Sequence, residues 1–514
     1  MSKEQILWAD DEIDLLKPHI LFLQNKGFEV TTVTNGRDAL DAINAQNFNL
    51  IILDENMPGI SGLEALQQIK IQQPNVPVIM ITKSEEENIM NQAIGSEIAD
   101  YLIKPVNPMQ ILLSIKKNLH SDAIVKEKVS TEYQQQFMNI SQTINTAATI
   151  DDWYDIYNTL VRWELTLSNT ETGMGDMLRM QKTEANAAFA KFIKRNYEQW
   201  LSSDNHPLMS HEVFKTAVKP LLEKGEKVCF IVFDNFRLDQ WKAISPLLSD
   251  LFNIENETLY TTILPTSTQY ARNAIFSGFL PVDIEKMFPD LWVDEDEEEG
   301  KNVNEAPLIK TLLDRYRLHY KFSYNKVNDS AGGDKLIQNF GALNTNDLNV
   351  MVFNFVDMLS HARTESKMIR ELANTDEAYR SITESWFRNT YAFEIFKLIA
   401  ERGWKVVLTT DHGTIKVDNA VKVIGDRNTN TNLRYKLGKN LSYNPKQVFE
   451  IKSPKRFGLP SPNVSTTYIF CMNNDFFAYP NNYNYYVQYY NGTFQHGGIS
   501  MEEMLVPLVT LTPK

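Results

Sequence analysis

The stretch KVVLTTDHG at 405–413 decides the fold. Lys405–Thr409 reads as a strand, and it ends just before Asp411-His412. Two further stretches share the design. VCFIVFD at 228–234 is a continuous apolar run ending in Asp234, and NVMVFNFVD at 349–357 is a run ending in Asp357. Runs of this kind suit parallel strands covered on both faces. In an open α/β sheet, functional groups collect beyond the carboxyl ends of the strands. Three strands that each deliver a metal-liganding side chain there predict an α/β domain built around a metal site.

His361 and His496 complete a set of six: Asp234, Asp357, His361, Asp411, His412 and His496. Three carboxylates and three imidazoles suit two adjacent divalent metals. Asp357 and His361 are four apart and can share a helix face. Asp411 and His412 can both reach inward from a tight loop with Gly413, and Gly497-Gly498 permits close backbone approach beside His496. One metal would take Asp357, His361 and His496; the other would take Asp234, Asp411 and His412. Mixed oxygen and nitrogen donors suit Zn²⁺ first and Mn²⁺ second. Two such metals about 4 Å apart would clamp an in-line displacement at phosphorus.

The segment ILPTSTQYARNAIFSG at 263–278 predicts a loop entering a helix. A helix N-terminus offers N–H groups and a favourable dipole to a phosphate. Thr266, Ser267 and Thr268 compete there for the role of nucleophile, and cap or turn duty accounts for two of them. Arg272 could hold a phosphoryl oxygen. Asp239 is expected on a helix surface. The tyrosines of 479–490 are expected to fill packing and edge-strand positions rather than stack on bases.

The first 120 residues alternate candidate strands, Gln5–Ala9, Glu29–Thr34, Leu50–Leu53, Val76–Thr82 and Asp100–Ile103, with stretches of helical period. This predicts a doubly wound α/β domain. The strand ends carry Asp10-Asp11, Asp54, Thr82 and Lys104-Pro105. Asp10, Asp11 and Asp54 form an acidic cluster suited to Mg²⁺. Asp54 can attack a phosphoryl donor, Lys104 can pair with the acyl phosphate, and Thr82 can hydrogen-bond it. ADD at 9–11, LDENMPGISG at 53–62, the Thr82 strand end and YLIKP at 101–105 together resemble a two-component receiver domain. Tyr101 sits where that family places its switch aromatic.

Residues 121–203 are almost free of glycine and repeat apolar residues at three- and four-residue spacing. Helices are expected over Ala123–Ile144, Asp151–Leu167 and Asp176–Leu201, forming a bundle that links the receiver to an effector at 204–514. The bundle is read first as a spacer and second as a relay or dimer contact.

With 514 residues the chain can form two to four domains. No run approaches the length of a bilayer span, and MSKEQILWADDE lacks the layout of a signal peptide. Only two cysteines occur, Cys229 and Cys471, both in apolar surroundings, which fits inert thiols in a reducing cytoplasm. A net charge of −14, with no basic recognition helix in evidence, argues against duplex DNA binding. The acidic run 294–299 is expected to be a solvated loop tip.

Residues 204–514 resemble the alkaline phosphatase superfamily, specifically a PglZ domain. The matching features are Asp-x-x-x-His at 357–361, Asp-His at 411–412 and QHGGISMEEMLVPL at 495–508. In that superfamily the nucleophile lies ten residues before a glycine that closes its helix. Thr268 stands ten before Gly278, which selects it over Thr266 and Ser267. Arg272 keeps the spacing of an arginine used by the sulfatase branch. Receiver, helical middle and PglZ domain together resemble the PorX-type response regulators. That resemblance implies a cytoplasmic regulator of type IX secretion and gliding, phosphorylated on Asp54 by a sensor histidine kinase. It implies a two-zinc phosphodiesterase acting on cyclic or linear oligonucleotides, and links to a sigma factor and a secretion motor protein. Phosphorylation is expected to promote a homodimer and change access to the two-metal site. There, Thr268 would form a phospho-threonine that is later hydrolysed. The alternative is a non-catalytic scaffold whose metals are structural and whose output runs through protein partners.

Overall fold

The computed structural model describes residues 3–83, 87–170, 173–295, 300–425 and 429–514. They form two compact units, 1–131 and 132–514. The first unit holds five parallel strands, Gln5–Ala9, Glu29–Val33, Leu50–Asp54, Val78–Thr82 and Asp100–Ile103, in the spatial order second, first, third, fourth, fifth. The fourth begins two residues later than its apolar run, because Pro77 has no N–H to add to a ladder. The central LIILD strand is buried throughout. Its side chains alternate between faces: Ile51 and Leu53 enter one core cluster, and Leu50 and Ile52 enter the other. The helix Gly62–Gln72 starts from a capping box in which Ser61 and Glu64 satisfy each other's backbone N–H.

The helix expected over Ala123–Ile144 is part of a single helix, Pro108–Thr146. No glycine or proline follows Pro108 in this stretch to break it. Ile150–Thr170 and Gly175–Trp200 follow. Trp153, Tyr157, Phe189 and Tyr197, each almost fully buried, belong to these two helices.

The second unit is built on a six-stranded sheet in the order Phe252–Thr261, Leu505–Pro513, Lys405–Thr410, Val228–Phe233, Leu348–Phe353, Phe322–Val327. The last four run parallel to one another, and Leu505–Pro513 runs against both its neighbours. The three strands read from their apolar runs are adjacent and in register, with Thr410 opposite Phe233 and Phe233 opposite Phe353. The loops leaving these three strands therefore emerge on one sheet edge. The third strand stops at Phe353, short of the end of its apolar run, so Asp357 lies in the first turn of the helix Phe355–Glu365.

Three local expectations are corrected. Residues 483–490 form a helix rather than an edge strand, stabilised by tyrosine pairs at four-residue spacing. Asp239 is 2 % exposed and not on the surface. Arg237 grips it with Nε and Nη2, and Arg380 adds a third bond, so the carboxylate is buried with its charge paired. In the acidic run, Glu295 accepts from the Tyr435 and Tyr270 hydroxyls instead of facing solvent; residues 296–299 lie outside the described residues. Cys229 and Cys471 are free and buried. Among the described residues, no helix is long and apolar enough to cross a membrane.

Candidate active site

Beyond the aligned strand ends, the structure gathers the six ligand candidates into two groups. Asp357, His361 and His496 each offer an atom within 4.8 Å of the others, and so do Asp234, Asp411 and His412. His412 and His496 connect the groups, their rings stacked at 4.2 Å. His361 stands at the solvent-facing side, its side chain 64 % exposed.

The donor set fits divalent metals. His496 Nδ1 lies 3.0 Å from the Thr266 carbonyl and His412 Nδ1 3.1 Å from the Gly413 carbonyl. A carbonyl can only accept, so each Nδ1 carries the proton and each Nε2 keeps its lone pair for a ligand. Burial, helped by His412 and His361, pushes His496 well below the usual histidine range, which keeps it neutral. Asp411 Oδ2 is buried with no hydrogen-bond partner, its nearest cation being Arg272 Nη1 at 3.6 Å. Burial, followed by the charge of Asp234, raises the Asp411 carboxyl to about 6. Asp357 moves the same way for the same reasons. Burial also opposes ionisation of Asp234, but Arg272 and then His412 outweigh it and hold the group at about 2. A cluster this rich in buried carboxylate is one that cations stabilise.

The three competing hydroxyls have different surroundings. Thr266 Oγ1 donates to the Gly498 carbonyl and accepts from the Gly497 N–H, tying its loop to the His496 segment. Ser267 is the N-cap of the helix Thr268–Ser277, though its side chain makes no capping bond. Thr268 Oγ1 lies 3.1 Å from both Asp234 Oδ1 and His412 Nε2. Its helix ends at Gly278 with φ 67°, a left-handed conformation that favours glycine.

Arg272 differs from expectation. It is 1 % exposed, with Nη1 2.6 Å from Asp234 Oδ2 and Nε 2.5 Å from Glu305 Oε1. A guanidinium buried among carboxylates is held by them rather than presented to a substrate. Sequence reading also missed several supports. Asn235, at φ 62°, donates from Nδ2 to Asp357 and Ser360 and from its backbone N–H to Asp411. Glu305 anchors Arg272 and accepts from the Tyr324 hydroxyl. Thr262 bonds the Asp411 carbonyl at 2.6 Å. An asparagine directly after a strand-end aspartate was the one visible signal. A Cβ at Gly413 would lie 2.0 Å from the Glu502 carbonyl, so only glycine lets these two loops approach.

The linker helices reach the segment leading into the Thr268 helix and the segment after His496. Tyr197 accepts from the Leu264 N–H at 2.8 Å, and the Tyr154 hydroxyl lies 2.9 Å from Thr261 Oγ1. Asn186 accepts from the Met501 N–H at 2.8 Å and donates to Glu502 at 2.9 Å. Lys182 pairs with Glu164 and Glu502. Asn186→Leu leaves a buried N–H and a buried carboxylate short of partners. The expected loss is about 2–4 kcal/mol, read by chemical denaturation, with faster amide exchange at Met501. Unchanged stability would show that these bonds contribute nothing net.

The other unit builds a separate cluster. Asp10, Asp11 and Asp54 offer oxygens within 4.8 Å of one another. Lys104 Nζ lies 2.9 Å from Asp10 Oδ2 and 3.2 Å from Asp54 Oδ1. Burial raises the Asp54 carboxyl to about 6, with Lys104 opposing and Asp10 adding. Thr82 is buried at the end of its strand, and Tyr101 packs on the edge of the neighbouring core cluster. These donors fit a hard cation such as Mg²⁺.

Comparison with known proteins places three families along the chain. Residues 6–116 match a response regulator receiver domain, 123–201 a PorX response regulator linker domain, and 213–511 a BREX system PglZ alkaline phosphatase-like domain. A transcriptional regulatory protein CpxR homolog of Haemophilus influenzae is 35 % identical over 132 residues, 25 % of this chain and 56 % of that protein. The alkaline phosphatase synthesis transcriptional regulatory protein PhoP of Bacillus subtilis is 28 % identical over 165 residues, 32 % of this chain and 67 % of that protein. This chain thus spans little more than half the length of the first of these relatives. Among solved structures, a CheY-like receiver domain protein from Methanospirillum hungatei is similar, at 28 % identity and a TM-score of 0.23, over 23 % of this chain and 96 % of that one.

Proposed function

Because this chain belongs to the PglZ alkaline phosphatase-like family, joined to a receiver domain and a PorX-type linker, we propose that it is a phosphorylation-controlled phosphodiesterase. Its working parts are a receiver over 1–120, a helical linker over 121–203 and an effector over 204–514. The receiver implies a cognate sensor histidine kinase, with Asp54 as acceptor and Mg²⁺ held by Asp10, Asp11 and Asp54. The effector hydrolyses phosphodiesters, with cyclic or linear oligonucleotides as substrate, in the cytoplasm. Its output feeds type IX secretion and gliding through partners such as a sigma factor and a secretion motor protein. Phosphorylation promotes a homodimer.

One observation carries the hydrolase reading: Thr268 Oγ1 sits 3.1 Å from both Asp234 and His412, inside a six-ligand cluster. Asp357, His361 and His496 would hold one Zn²⁺, and Asp234, Asp411 and His412 the other. Such ions supply Lewis-acid activation and charge neutralisation. The chain's own part is preorganisation. The helix start aims the Thr268 hydroxyl, Asp234 accepts its hydrogen bond, and the Nδ1–H bonds fix two imidazoles. Arg272 and Asn235 keep the buried carboxylates in place.

The test is hydrolysis of bis(p-nitrophenyl) phosphate by the full chain with added Zn²⁺, with and without chelator. We expect turnover that chelation removes and Zn²⁺ restores. No turnover with Zn²⁺ bound would favour the scaffold reading instead.

A further inference from the structure

The helix Tyr483–Tyr490 carries five tyrosines in eight residues and buries no residue fully. Tyr483, Val487 and Tyr490 pack inward on the cluster of Ile415, Val417, Phe476 and Ala478. Two ring pairs at four-residue spacing form a ladder along the helix. Tyr485 stacks on Tyr489 with centroids 6.0 Å apart and planes 16° apart, and Tyr486 on Tyr490 at 6.2 Å and 11°. Tyr485 is 62 % exposed and Tyr486 37 %. Single apolar residues on a surface are ordinary, but a contiguous aromatic face marks a binding site.

Three observations select the ligand. First, cations sit on the rings: the Arg370 guanidinium is 5.2 Å above Tyr489, and the Lys422 ammonium 4.7 Å above Tyr483. Second, residues 479–495 contain no charged side chain, so no carboxylate on this segment repels a phosphate. Third, the ladder adjoins the metal cluster along the chain. Tyr490 precedes His496 by six residues, a reach of at most about 20 Å. Arg370 lies on Lys367–Leu372, which directly follows the helix bearing Asp357 and His361.

We infer that Tyr485, Tyr486 and Tyr489, with Arg370, form a stacking platform for the bases of a single-stranded oligonucleotide whose phosphodiester lies at the two metal triplets. The inference rests on the hydrolase reading and adds the residues that would hold the substrate. Every base has a π-face, so the platform tolerates sequence, and the flanking cations match the strand's phosphates.

The experiment uses the full chain and a fluorescein-labelled phosphorothioate oligothymidylate of about ten nucleotides. Replacing both Tyr485 and Tyr489 with alanine should raise Kd at least about tenfold, measured by anisotropy. Replacing both with phenylalanine should keep Kd near the wild-type value, because stacking needs the ring and not the hydroxyl. Zinc content should stay near the wild-type value in both variants, which reports that the fold around the six ligands is intact. Unchanged Kd in the alanine variant overturns the platform, as does an equal loss of affinity in the phenylalanine variant. A wild-type chain that binds the oligothymidylate but hydrolyses neither bis(p-nitrophenyl) phosphate nor an unmodified oligothymidylate overturns the hydrolase reading and leaves the platform standing.

Discussion

Replacing Thr268 with valine is expected to lower metal-dependent phosphodiester hydrolysis by about a thousandfold or more. Valine matches threonine in shape but has no hydroxyl. It therefore removes the one oxygen that reaches both Asp234 Oδ1 and His412 Nε2, while the helix start stays filled. Thr268→Ser should keep measurable activity, since it restores the oxygen on a less restrained side chain. Zinc content measured beside the rate separates loss of the nucleophile from loss of the metals. Valine should leave it near two per chain if the ligands are the six proposed. A valine variant that retains activity would return the role to another group, and the neighbours offer little competition. Thr266 is buried with its hydroxyl engaged at Gly497 and Gly498, and Ser267 is the N-cap from which the helix starts.

Much of this was legible in the residues because it depends on local pattern. The receiver strands follow from short apolar runs bounded by turns, and Asp10, Asp11, Asp54 and Lys104 converge because parallel strands end on one edge. The same logic brought Asp234 and Asp411 together from 177 residues apart in sequence. What escaped depends on partners distant in the chain. Asp239 looks like a surface carboxylate until Arg380, far along the chain, arrives to neutralise it. Arg272 looks available to a substrate until Glu305 and Asp234 occupy its Nε and Nη1. The tyrosine run looks like a strand by propensity, yet ring pairs at four-residue spacing and an apolar inner face make it a helix.

The second large effect is expected in the receiver. Asp54→Asn should abolish phosphorylation by a small-molecule phosphodonor with Mg²⁺, read by intact mass. An amide is a far poorer nucleophile and contributes no charge to the cation site. Lys104→Ala should act differently. It removes the ammonium that spans Asp10 and Asp54, leaving the acceptor in place and the acyl phosphate unpaired. Phosphorylated wild-type chain should shift to a dimer in sedimentation, and the Asp54→Asn chain should stay unshifted. A phosphorylated wild-type chain that remains monomeric would remove the dimer from the switch. It would leave the hydrolase chemistry untouched.

The grip of the linker helices on the effector also bears on how such a chain can be inherited. Receivers pass between genes as exchangeable parts, and a join is tolerated where few interactions cross it. Here a splice near residue 204 would give a new neighbour to Leu264, Met501 and Glu502, whose partners are Tyr197, Asn186 and Lys182. Buried polar groups would be stranded by the exchange. A recombination point within Pro108–Thr146, near the division at 131, cuts through a helix and leaves those bonds whole. The heritable module is therefore the hydrolase-like sheet together with the two helices before it, and lineages that trade receivers should carry the pair as one piece.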